Sequence, residues 1–155
     1  MITALLIIHG LIGVALMGAV THQALSASAR RAEIRKNGFV ARYRGTDAAA
    51  YRDAIVILYV TVCAIGAVLY PTYRTVVRPM LQDLDFRSAN GAFELKEHLS
   101  ALGLIVLPAY WACWRQPLEP EYAAARVWLA WIIAFIVWWN FVIGQVLVSI
   151  RGLLS

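Results

Sequence analysis

Seven side chains combine ionisable or strongly polar chemistry with a place inside, or at the edge of, a long apolar run: His9, His22, Glu94, Glu97, His98, Asn140 and Gln145. Ionisable groups are costly in an apolar medium, so these are the first places to look for chemistry. His9 and His98 stand on different runs at similar depth. Imidazole is a usual axial ligand for haem iron, and helical bundles build cofactor sites from facing side chains of separate helices. The pair therefore reads as a haem b site, with Glu94 as an acceptor orienting the His98 ring. The same two histidines with Glu94 and Glu97 form a donor set for zinc, iron or copper. A third reading is an apolar slot for a quinone, with His9, His98, Tyr70, Tyr73 and Gln145 as its polar groups.

Spacing decides which of these residues can act together. On a helix Glu94 and His98 are one turn apart and share a face, which Ala101, Ile105, Ala109 and Ala112 continue. Gly13 lies one turn below His9 on the same face. Small residues there leave room for a flat ring, and they equally let helix backbones approach closely. Glu97 is turned about 100° from His98, so joint metal ligation needs a bend or a second chain. His9 and His22 are about 20 Å apart along a helix but about 140° apart around it. His22 also lacks a histidine to pair with, so a ladder of two haems is not formed. The FELKEH segment, Phe93 to His98, reads equally as an interfacial helix start, with Glu94, Lys96 and Glu97 in headgroup water. Asn140 and Gln145 have a plainer use as hydrogen bonds between helices.

Helices must position these groups. Of 155 residues, 61% are apolar and 15% charged. Soluble domains run at about 45–50% and about 25%. That gap excludes an ordinary soluble enzyme, a disordered tail and, despite the net charge of +5, a nucleic-acid-binding domain. Four runs approach the roughly 20 residues a crossing needs: about 2–25, 54–70, 90–114 and 127–150. None alternates as a strand would, and backbone groups in lipid must pair internally, which leaves a helical bundle. Pro71 is expected to end the second helix and Pro108 to bend the third. The first run has no positive n-region and is longer than a usual signal-peptide core, so it reads as a retained span.

Lysine and arginine set the orientation. Arg30, Arg31, Arg35, Lys36, Arg42, Arg44 and Arg52 precede the second run, and Arg115 and Arg126 lie between the third and fourth. Arg74, Arg78, Arg87, Lys96 and Arg151 fall on the other side. The richer side marks the cytoplasm, and its first loop could also meet anionic headgroups or a partner. Trp111, Trp114, Trp128 and Trp131 then fall at cytoplasmic helix ends as an interfacial belt, with Trp138 and Trp139 deeper. Residues 71–88 read as a long outer loop. Cys63 and Cys113 sit in apolar runs without CxxC spacing and read as packing residues.

No GxGxxG, Walker A, HExxH or GxSxG motif occurs. The expectation is one all-α domain over residues 1–155. It is an integral membrane four-helix bundle, multi-pass in the inner (plasma) membrane of a bacterium, with both termini on the non-cytoplasmic side. Expected partners are the lipid bilayer, other membrane-complex subunits or a second copy of the chain, and a quinone; no nucleic acid is expected. The expected role is a small subunit of a membrane redox complex carrying haem b between His9 and His98. The alternatives are a cofactor-free structural or assembly subunit and a small oligomeric channel or transporter.

Overall fold

The structure is a computed structural model that describes residues 2–29, 42, 43, 45 and 47–153. The basic residues Arg30, Arg31, Arg35, Lys36 and Arg44 of the first loop lie outside the described residues. All regular structure among the described residues is helical. Helix α1 spans Ile2–Ala27. A 3-10 turn, Ala48–Tyr51, leads into α2, Arg52–Thr72. A π-turn, Tyr73–Val77, carries the same rod into α3, Arg78–Asp83. Helix α4 spans Arg87–Cys113, and a 3-10 turn, Pro120–Tyr122, opens α5, Ala123–Leu153. Asp47 caps the first turn, its carboxylate accepting the Ala49 N–H at 3.0 Å.

Among the described residues, three helical stretches are long and apolar enough to cross a membrane: Ile2–Ala27, Ala48–Asp83 and Pro120–Ser149. Helix α4 has the length, at 27 residues, but is not among them. Its first half carries Arg87, Glu94, Lys96 and Glu97, and that charge outweighs the apolar run that follows.

Pro71 does not end the second helix. Proline removes one N–H and crowds the preceding turn, and the chain answers with a shifted register rather than a stop. The Arg78 N–H donates to the Tyr73 carbonyl, the i to i+5 bond of a π-turn. Thr75 Oγ1 donates to the Pro71 carbonyl at 2.9 Å. The expected loop over 71–88 is therefore mostly helix, closed by one tight turn. There Asp85 takes a left-handed conformation (φ 56°). The Phe86 N–H donates to Leu81 O at 2.8 Å and the Asp85 N–H to Gln82 O at 3.0 Å. This pair of bonds is a Schellman motif with aspartate where glycine is usual.

Helix α1 packs against α2 and α5, and α4 packs against α5 and α2, so α1 and α4 stand diagonally opposed. The buried stripes repeat every three to four residues, as one face of a helix must. They are Leu16, Val20 and Ala24 on α1, Gly103, Leu107 and Tyr110 on α4, and Ala130, Ile133, Ala134 and Val137 on α5. Ile55 and Tyr59 complete the core from α2. Gln23, only 1% exposed, ties three elements together: it accepts the Tyr110 hydroxyl at 2.7 Å and donates to Ala48 O at 3.0 Å. These residues sit in the half of the bundle that holds the α1–α2 and α4–α5 connections. The other half holds the groups whose chemistry was anticipated, apart from His22.

Candidate functional site

The rotation of α4 decides which of its polar residues face the bundle. The inward stripe continues upward from Leu107 and Gly103 through Ser100 to Lys96. The outward stripe holds Glu94, His98, Ala101, Ile105, Ala109 and Ala112, all exposed, with Ile105 at 73%. The face nominated from sequence for a cofactor thus turns away from the bundle centre. Lys96, placed in headgroup water by the sequence reading, turns inward with only 16% of its side chain exposed.

An open groove of about 240 Å³ lies between the α2–α3 rod and the first half of α4. Tyr70, Tyr73 and Arg78 line one side; Phe93, Glu94, Glu97, His98 and Ala101 line the other. The π-turn builds the first wall. Its wider turn places Arg78 over Tyr73, five residues earlier, where an α-helix would turn them apart. From there the guanidinium reaches Glu94 Oε1 at 3.3 Å. The floor is aromatic: the Tyr73 and Phe93 rings stack with centroids 3.4 Å apart, and Tyr70 lies 6.3 Å from Phe93. The Tyr73 hydroxyl donates to Asn90 Oδ1 at 2.7 Å, which fixes its ring. Tyr70 accepts from Arg74 Nη1 at 3.2 Å, and its own proton stays free to be donated.

His98 Nδ1 lies 2.7 Å from the Glu94 carbonyl oxygen. A carbonyl only accepts, so Nδ1 carries the proton and Nε2 of the neutral ring is an acceptor. The backbone of Glu94 orients the ring, where sequence reasoning expected its carboxylate to do so. The groove thus presents the His98 acceptor, the Glu94 and Glu97 carboxylates, one phenolic donor and a guanidinium engaged with Glu94 beside a flat aromatic floor.

His9 stands elsewhere. It is half-buried on the inward face of α1, its Cε1 3.5 Å from where a side chain on Gly66 would begin. Its Nδ1 is buried without a hydrogen-bond partner. The space beside Gly13 is taken by Phe141, 3.7 Å from the position of a Cβ. The structure therefore brings His98, Tyr70 and Tyr73 to one groove. His9 does not line it, and Gln145 is exposed on α5. No group of three or more His, Cys, Asp or Glu side chains is arranged to hold a metal among the described residues.

Other anticipated residues find structural uses. The Asn140 amide donates to Ile136 O at 2.7 Å, and its Oδ1 lies 2.9 Å from Ser100 Oγ, joining α5 to α4. His22 meets Tyr43 at a tilt and stacks on Tyr51, with centroids 4.0 and 5.0 Å away. Trp111, Trp128 and Trp131 are exposed, but Trp114 is 3% exposed and belongs to the core. It is buried because it continues the Leu107–Tyr110 stripe. Arg126 joins it there, donating to Glu119 O at 2.9 Å with its charge over the Trp114 ring. Both cysteines are free thiols. Two groove residues, Arg78 and Phe93, were missed from sequence. The only signal was Pro71, whose consequence for register a sequence does not display.

No protein family matches the chain, and neither curated proteins nor solved structures show a significant similarity to it. The functional reading therefore rests on the geometry of the site.

Proposed function

We propose that the chain is a four-helix integral membrane protein with both termini on the outer side, and that it serves as a small subunit of a membrane redox complex. Its groove, at the outer-leaflet level, holds the head of a lipid-soluble quinone or quinol. Helix α4 crosses with the others: Lys96 turns inward toward α5, Glu94 pairs with Arg78 of α3, and Arg87 stands at the helix start, at headgroup level. The observation that carries the reading is the His98 ring, held by Glu94 O so that Nε2 accepts at the edge of an aromatic slot. Nε2 accepts the hydroxyl of a quinol, Tyr70 donates to the carbonyl of a quinone, and the Tyr73–Phe93 pair lies flat against the ring. A volume of about 240 Å³ is below the roughly 300–1,000 Å³ of drug-sized pockets. It suits a single ring whose tail stays in lipid.

The test is binding of a short-chain benzoquinone to the chain in lipid nanodiscs, read by titration of the quinone. Saturable binding is expected, weakened about tenfold in His98→Ala and comparably in Tyr70→Phe, as for loss of one buried hydrogen bond. Binding that both substitutions leave unchanged would remove the groove from consideration. No binding by a folded wild type would favour the cofactor-free structural subunit.

A further inference from the structure

Hydrogen-bonding capacity is unevenly divided in the groove. A quinone carbonyl only accepts, whereas a quinol hydroxyl donates, so the free donors and acceptors of the lining decide which form it suits. The Tyr73 hydroxyl gives its proton to Asn90 Oδ1 at 2.7 Å and has only lone pairs left. His98 Nδ1 is committed to Glu94 O at 2.7 Å, which leaves Nε2 as an acceptor. Glu94 and Glu97 both line the groove, with 51% and 40% of their side chains exposed. One oxygen of each meets a cation: Glu94 Oε1 lies 3.3 Å from Arg78 Nη2, and Glu97 Oε1 lies 3.3 Å from Lys96 Nζ. Among the described residues neither Oε2 has a partner. Against these acceptors stand the single proton of Tyr70 and the guanidinium of Arg78, already engaged by Glu94. Lys96 does not line the groove, so its lining sets one guanidinium against two carboxylates.

Resting on the reading of the groove as a quinone or quinol site, we infer that it selects the reduced, hydroxyl-bearing form and that Glu97 sets this preference. A hydroxyl facing a carboxylate makes a charge-assisted hydrogen bond, about twice as strong as one between neutral groups. A carbonyl in the same place meets lone pairs and is left without a donor. Glu94 discriminates less, because Arg78 beside it offers N–H groups to a carbonyl while the carboxylate accepts from a hydroxyl. The cation of Glu97 stands on the other side. Lys96 turns toward α5, its Cε 3.9 Å from where a side chain on Gly144 would begin. His98 adds a neutral acceptor. The stacked Tyr73 and Phe93 rings take either flat head and do not enter the choice.

The test titrates the full-length chain in lipid nanodiscs, without oxygen, with three probes. They are a short-chain benzoquinol, the matching benzoquinone, and the dimethyl ether of the quinol, which keeps the ring and loses both donors. The quinol is expected to bind about tenfold tighter than either of the others. In Glu97→Gln the amide supplies a donor beside its acceptor, and the preference for quinol over quinone should fall to about threefold or less. Quinone or ether binding as tightly as the quinol would overturn the inference and leave the site itself standing. An undiminished preference in Glu97→Gln would overturn it too, since the choice would then not come from Glu97. If that variant fails to assemble, the three probes on the wild type still decide. Binding of none of them by a folded wild type would remove the site and the inference together.

Discussion

At the residue scale, the contact between Gly103 and Tyr59 shows how closely α2 and α4 approach. The Tyr59 hydroxyl donates to Ser100 O at 3.1 Å, and a Cβ on Gly103 would fall onto that hydroxyl. Gly103→Ala should therefore cost about 1–3 kcal/mol, as overpacking does in a filled core, measured by denaturant or thermal unfolding in micelles. Adding Tyr59→Leu should recover much of the loss, whereas Tyr59→Phe should not. The ring carbon Cζ alone would stand 2.5 Å from the new methyl. If Gly103→Ala were neutral, the helices would be farther apart than described. The chemical inventory was legible from sequence at this scale, because ionisable residues in apolar runs are few. Which of them face inward was not. Helix α1 is apolar nearly all round and carries no amphipathic phase, and in α4 the inward stripe contains a lysine where a reader expects leucine.

At the element scale, the π-turn after Pro71 explains both the main departure from the sequence reading and the shape of the groove. Existence and length of the long helices were legible, since apolar runs of span length allow little else. The continuation through Pro71 was not, because proline more often stops a helix than shifts its register. Deleting Val76, an exposed residue within the turn, should return the rod to ordinary α-helical register. Tyr73 and the arginine would then stand four residues apart, one α-helical turn, so Arg78 should keep the Tyr73 face and its reach to Glu94. The expected result is an unchanged helical signal by circular dichroism with quinone binding largely kept, whereas Arg78→Ala, which removes the guanidinium outright, should weaken binding about tenfold. Loss of binding in the deletion with Arg78→Ala neutral would mean that the wider turn itself, and not Arg78, shapes the groove.

At the scale of the whole molecule, the diagonal arrangement of α1 and α4 separates the two histidines that sequence had paired. His98 faces out over the groove and His9 faces into the bundle, so a reduced-minus-oxidised visible spectrum of the purified chain is expected to lack a b-type α-band. Such a band, abolished by His9→Ala and by His98→Ala, would require α4 to rotate and would overturn the groove reading. The bundle is also unequal along its axis. One half holds the interlocked core of Gln23, Tyr110 and Trp114, closed at its end where Arg52 donates to Trp114 O at 3.4 Å and the Trp111 indole to Asp53 at 3.3 Å. The other half is looser and holds the groove and the buried charges. By sequence the basic excess falls before α2 and between α4 and α5, so the interlocked end should face the cytoplasm and the groove the outer side. Ser88, in the first turn of α4, and Gln116, in the connection between α4 and α5, mark the two ends, and both are exposed. In a chain with Cys63 and Cys113 replaced by alanine, Ser88→Cys should react with an impermeant maleimide on intact spheroplasts. Gln116→Cys should react only after lysis. The reverse pattern would place the groove on the cytoplasmic side, and a quinone bound there would exchange its protons with the cytoplasm instead.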